Sequence, residues 1–292
     1  MTEKPDVRDT LLLLLMSIAA VLVHGYYSGV EDVETYMPGV KHVLNPALYP
    51  YNTAFYTSHA HMTLYPHLIA WSVRLTHLPL DWVMLIWHLA TIFLLLLGCW
   101  HVGRLVFRDR LATWGGVALV ASLLTLPVAG TALYLMDQYV STRSFSTPAS
   151  LFVLFNCIER RYLRAALWAV FTAALHPLMV LFTLSYVVVW LGIGYLERIP
   201  VRNYREQAAA VAMALLPLGL FPPVTDAYLQ ALKTRQYFFL LHWRWYEWLG
   251  IIGAMAVLAW FRVIGRRYDL ALLGQLCYTF IVYQFLFFLA AL

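Results

Sequence analysis

Long apolar runs alternate with short polar segments along the chain. The first run, Thr10 to Tyr27, is built on five consecutive leucines from Leu11 to Leu15 and follows Lys4 and Arg8. Further runs occur at about 82–103, 111–136, 145–158, 165–175, 178–196, 207–222, 248–264 and 270–292. A helix that spans a bilayer needs about 20 mostly apolar residues, and shorter ones survive only when packed inside a bundle. The pattern therefore predicts an all-α fold, a polytopic transmembrane helix bundle of about nine segments, several of them short. No small-x-small cleavage site follows Val23-His24-Gly25-Tyr26, so the first run reads as an uncleaved helix rather than a secretory signal. The bundle forms a single transmembrane domain over 1–292, with a first outer loop at 28–81 and a second at 223–247.

Within the first outer loop a helix is expected from residue 62. Leu64, Leu68, Trp71, Leu75 and Leu78 recur at the spacing of one apolar helix face. Thr63, His67, Arg74, His77 and Asp81 form a polar stripe about a quarter turn away, which describes an amphipathic helix lying on the outer leaflet. The preceding stretch is rich in Tyr, Pro and His and poor in charge, as in segments that rest in the membrane interface.

Composition supports the same class. Of 292 residues, 62% are hydrophobic and only 12% charged, with a mean hydropathy of +0.70. Soluble domains carry about a quarter charged residues, so a soluble globule, a disordered chain and a disulfide scaffold are excluded. The three cysteines, Cys99, Cys157 and Cys277, lie far apart in apolar runs and read as packing residues.

The net charge of +5 becomes a topology signal once it is divided by side. With the N-terminus cytoplasmic, 14 of the 20 Lys and Arg fall in inner loops beside eight acids, and six fall outside beside seven acids. That is the bias of the positive-inside rule; nucleic acid is not implied. Arg164 and Arg198 both lie inside, so the residues between them cross twice as short helices hinged at His176-Pro177, where proline breaks the turn. The chain ends within an apolar run, Phe285 to Leu292, which suggests a fragment or a shortened relative of something longer.

Candidate chemistry gathers on the outer side. Glu31-Asp32 follows the first span at once, and acidic groups at a bilayer surface are costly unless solvated, paired or used. Adjacent carboxylates serve as a general base or bind a divalent cation; a solvated loop start is the plainer alternative. Asp137 and Arg143 flank a short turn and would neutralise each other there. Lys233, Arg235 and Arg244 stand among aromatics on the side that lacks positive charge, where a lipid phosphate would account for them. His59-x-His61 has no spacing that closes a metal site.

These features together resemble the GT-C superfamily of integral membrane glycosyltransferases. The stretches that carry the resemblance are Gly29-Val-Glu-Asp-Val-Glu-Thr-Tyr-Met-Pro, Leu44-Asn-Pro-Ala-Leu-Tyr-Pro, Asp137-Gln-Tyr-Val-Ser-Thr-Arg, His176-Pro-Leu-Met and Arg244-Trp-Tyr-Glu-Trp. The chain is also similar to uncharacterised bacterial membrane proteins grouped with that superfamily. The resemblance implies transfer of a sugar from a polyprenyl-phosphate carrier to an acceptor on the non-cytoplasmic side of the bacterial inner membrane. It makes Asp32 the general base and Glu31 its partner, with Mg or Mn at the pair as a further expectation. Arg143, Lys233, Arg235 and Arg244 would hold the departing lipid phosphate, and His176 would donate a hydrogen bond or a proton to it. Asp137 would touch substrate or pair with Arg143. A transporter or flippase of an amphipathic substrate, and a non-catalytic accessory subunit, are the alternatives from other classes. Against the resemblance, the sequence is shorter than most such transferases and no outer C-terminal domain is read in it, a departure expected of lost activity, an accessory role or truncation.

Overall fold

A computed structural model of the chain describes residues 5–29, 32–57, 62–123, 136–196, 230, 233–234 and 240–291. The described residues are helical and contain no β-strand. In chain order the helices are α1 (Val7–His24), α2 (Asp32–Leu44), α3 (Thr53–Tyr56), α4 (Tyr65–Thr76), α5 (Leu80–Val106), α6 (Arg110–Ser122), α7 (Thr142–Ile158), α8 (Tyr162–Leu175), α9 (Pro177–Leu196), α10 (Trp245–Arg267) and α11 (Ala271–Ala291), with a 3-10 turn at Leu240–His242.

Seven of the nine apolar runs coincide with helices; the run at 111–136 is helical to Ser122 with 124–135 outside the described residues, and the run at 207–222 also lies outside them. Four helices are long and apolar enough to cross a membrane: Val7–His24, Leu80–Val106, Pro177–Tyr195 and Trp245–Arg267. Tyr162–Leu175 and Ala271–Leu286 are shorter apolar helices. Their outward surfaces are strongly apolar. Leu11, Leu15, Leu22, Leu163, Leu167, Val188 and Val263 are all exposed. A water-soluble surface would not carry so many large apolar side chains.

The chain forms two compact units, residues 1–125 with 134–184, and residues 126–133 with 185–292. In the first unit α5 packs on α1, α6 and α7, while α7 packs on α8 and α2 on α4. Gly98 lets α5 and α7 approach closely, because a methyl group there would lie 3.1 Å from the Leu151 side chain. Two apolar clusters form along this bundle. One joins Leu13, Ala20, Leu96, Trp100 and Val117 between α1, α5 and α6. The other joins Val33, Val40, Tyr65, Ile69, Met84, Val140, Phe145 and Leu175, and it lies beneath the polar residues described below. At the opposite end Asp9, buried in the first turn of α1, is paired with Arg110 at the start of α6.

In the second unit α10 packs on α11. The contact is closest at Gly265, where an added Cβ would sit 3.0 Å from the Gly274 nitrogen and the Leu270 carbonyl oxygen. Small residues at such points let helix backbones meet. Tyr186 on α9 joins the same unit, donating to the Leu276 carbonyl at 3.2 Å. All three cysteines are free thiols; Cys157 and Cys277 are buried, as packing residues would be.

The first outer loop contains more helix than its sequence pattern predicts. Asp32–Leu44 is helical despite Pro38 in its interior. The helix expected from residue 62 is present as α4, and it packs on the protein through residues other than the leucine stripe. Tyr65, Ile69, Ala70 and Ser72 are buried, whereas Leu64, Trp71, Leu75 and Leu78 of the expected apolar face are exposed. Tyr65 anchors the packed side by donating its hydroxyl hydrogen to the Val140 carbonyl at 2.9 Å.

Candidate functional site

The polar group of interest assembles where α1 ends and α2 and α7 begin. Gly25 closes α1 with φ +84 and ψ 167, backbone geometry open essentially to glycine alone. The chain then turns back onto the segment before α7. The Tyr27 N–H donates to the Gln138 carbonyl at 2.8 Å, and the Gln138 side-chain amide donates to the His24 carbonyl. These backbone ties hold the Asp137–Arg143 segment beside the start of α2.

Asp32 is the first residue of α2, and Glu34 is exposed in the same turn. Carboxylates are favourable at a helix N-terminus. Arg143 occupies the first turn of α7, where the helix dipole disfavours a cation, so acids must offset it. Asp137 does so with both oxygens, accepting from Arg143 Nη2 at 2.8 Å and from Nε at 3.1 Å. Its side chain is 5% exposed and that of Arg143 20%. Asp32, 54% exposed, is the second acid, with Oδ2 at 3.3 Å from the same Nη2. Tyr139 adds a third partner, its hydroxyl accepting from Nη2 at 3.3 Å. One guanidinium is thus shared by two carboxylates. Burial works against its charge, but the hydrogen bonds and charge of Asp137 outweigh that and hold Arg143 protonated well above the ordinary arginine range.

His176 completes the group. It caps α8, donating its backbone N–H to Thr172 at 2.7 Å, and precedes Pro177 at the start of α9. Burial lowers its pKa below the ordinary histidine value, and the positive charge of Arg143 lowers it further. Asp32 pulls the other way and is the weaker influence. The ring is therefore neutral at pH 7. The Met179 N–H lies 3.4 Å from Nδ1, which leaves the ring proton on Nε2.

Further residues support the group. Thr142 Oγ donates to the Tyr36 hydroxyl at 3.1 Å and so ties α7 to α2. The Leu64 N–H donates to the Ala174 carbonyl at 2.8 Å and ties the start of α4 to the end of α8. Tyr26 has a buried hydroxyl without a hydrogen-bond partner among the described residues. Burial, assisted by the charge of Asp81, pushes its pKa up to about 12. Tyr26, Tyr36, Tyr139 and Thr142 are not singled out by the sequence, because aromatic residues at this depth read as an interfacial belt.

Of the residues expected to act together, Asp32, Asp137, Arg143 and His176 converge. Glu31 and Arg235 lie outside the described residues, as do His59 and His61. Lys233 is exposed. Arg244 caps α10 in the second unit, its backbone N–H donating to Glu247 Oε2 at 2.6 Å, with Nη1 3.5 Å from the Tyr246 hydroxyl. Glu247 is thereby the acidic partner of a helix N-terminus. Among the described residues no three His, Cys, Asp or Glu side chains stand together as a metal site. A divalent cation beside Asp32 would adjoin the Arg143 guanidinium. The chain matches no protein-family model, no curated protein and no solved structure.

Proposed function

We propose that the chain is a membrane-embedded glycosyltransferase of the GT-C kind, using a polyprenyl-phosphate sugar on the non-cytoplasmic side. The supporting observation is Arg143, held at a membrane-protein helix end between Asp32 and Asp137, with His176 near enough to feel its charge. Nη2 and Nε are engaged by these partners, and Nη1 would serve as the donor to a phosphate oxygen.

In the reaction the acceptor hydroxyl gives its proton to the Asp32 carboxylate as its oxygen attacks the anomeric carbon. The bond from that carbon to the carrier's phosphate oxygen breaks, and the phosphate leaves with the electron pair. Arg143 stabilises the charge that develops on it. Neutral His176 offers Nε2–H as a second donor. Asp137 is a positioning residue: its two bonds fix the plane of the guanidinium. Asp32 is the more exposed of the two acids, which suits the one that must meet an acceptor.

The test is sugar transfer by purified protein in vesicles containing polyprenyl-phosphate sugar. Asp32→Asn is expected to abolish transfer, with yield and helix content unchanged. Full activity of that variant would remove the proposed base.

A further inference from the structure

A second feature of the first unit runs along the same helices toward their other end. A groove of about 770 Å³ runs along α5, α7 and α8, a size within the range of small-molecule sites. Its wall is aromatic. Phe152 stacks on Trp168 with ring centroids 4.7 Å apart, and His101 lies 4.6 Å from Phe155. Trp87 and Phe145, in ring contact at 5.0 Å, bound the end nearest Arg143. From Trp87 to His101 the groove follows α5 for about 21 Å at 1.5 Å per residue.

The opposite end is cationic. The turn between α7 and α8 passes through Arg160, at φ +58, and closes with the Arg161 N–H donating to the Asn156 carbonyl at 2.8 Å. This places Arg161 and Arg164 at the mouth of the groove. Glu159 pairs with Arg161 at 3.2 Å, so the mouth keeps a net positive charge. Arg164 is exposed. The buried Nδ1 of His101, on the groove wall, has no hydrogen-bond partner among the described residues.

We propose that this groove binds one acyl chain of an anionic membrane phospholipid, with Arg161 and Arg164 holding the phosphate. Guanidinium groups match phosphate oxygens in geometry as well as charge, and basic pockets between membrane helices hold lipid head groups. The length and aromatic lining suit a hydrocarbon chain. The neighbouring exposed side chains, Leu163, Leu167 and Val170, suit a groove opening onto lipid rather than water. A carrier lipid whose phosphate sat at Arg143 would enter from the end that Trp87 and Phe145 bound. A phosphate held at Arg161 and Arg164 sits at the opposite end, so the occupant proposed here is a phospholipid distinct from such a carrier, and the inference does not rest on the transferase reading.

The experiment uses the full chain in vesicles of phosphatidylglycerol and phosphatidylcholine carrying a trace of phosphatidylglycerol with a diazirine in its acyl chain. Photolabelling is expected within 94–101 and 152–171, and unlabelled phosphatidylglycerol should compete better than phosphatidylcholine. Arg161→Gln with Arg164→Gln should weaken that competition about 30-fold, the product of two arginine–phosphate contacts. Leu167→Trp should fill the groove and remove the label. The wild-type labelling pattern needs no variant to fold. Labelling elsewhere, equal competition by the two phospholipids, stronger competition by a polyprenyl phosphate, or crosslinking to a second copy of the chain would each overturn the proposal. Sugar transfer is not read, so failure here leaves the assignment of Asp32 untouched.

Discussion

Removing charges one at a time around Arg143 separates structural from chemical roles. Asp137 is almost fully buried and bound through both oxygens, whereas Asp32 is half exposed and bound through one. Arg143→Met would leave the Asp137 carboxylate buried without a counter-charge, a change that costs about 3–5 kcal/mol. Asp137→Asn keeps an acceptor but loses the ionic character of two hydrogen bonds, for about 1.5–3 kcal/mol. Asp32→Asn removes a solvent-screened ion pair, worth about 0–1 kcal/mol. The expected order of destabilisation is therefore Arg143→Met, then Asp137→Asn, then Asp32→Asn. The assay is reversible unfolding in mixed micelles titrated with dodecyl sulfate and followed by far-ultraviolet circular dichroism. A double-mutant cycle should give a larger coupling for Arg143 with Asp137 than for Arg143 with Asp32. If Asp32→Asn costs more than about 2 kcal/mol, comparable to Arg143→Met, then Asp32 is a structural anchor and the reasoning from its exposure fails.

Two further outcomes are expected. Gly265→Leu should force α10 and α11 apart, because even a methyl group would meet backbone at 3.0 Å; a loss of about 1–3 kcal/mol should appear as a lower thermal midpoint in detergent, and an unchanged midpoint would contradict the contact. His176 has a lowered pKa in the folded chain, so between that value and about 6.5 the unfolded chain binds more protons. Its contribution to stability should be complete above that window and decline as pH falls through it. The pH dependence should flatten in His176→Asn, as read by unfolding titrations across the window.

Much of the helical architecture was legible from the apolar runs. Arg143, Asp32, Asp137 and His176 stood out because charged and titratable side chains are rare in such a chain. What escaped notice has physical causes. The helix Asp32–Leu44 contains Pro38, which ordinarily breaks helices, and only Val33, Gly39 and Val40 are fully buried in it, with Tyr36, Met37 and Leu44 packed beside them. The stripe of Leu64, Trp71 and Leu75 is exposed, and periodicity alone does not show which residues of α4 pack on the protein. In α4 the protein-facing side is instead held by one tyrosine hydroxyl and Ile69. Tyr36 acquires its partner Thr142 through backbone turns at Gly25 and Gln138, whereas Tyr139 meets Arg143 four residues along the chain. Those turns join positions more than a hundred residues apart in sequence, and no local spacing records them.

The length of α5 has a mechanical consequence. Its 27 residues rise about 40 Å, against a hydrocarbon layer of about 30 Å. In a bilayer the surplus must be taken up by tilt or by projection beyond the lipid. The N-terminal part of α5 supplies Val83 and Met84 to the apolar cluster beneath Asp32 and Arg143, while its C-terminal half walls the groove at His101. Bilayer thickness therefore acts on both ends of one lever. Hydrophobic mismatch is thus a variable that both ends of α5 would meet.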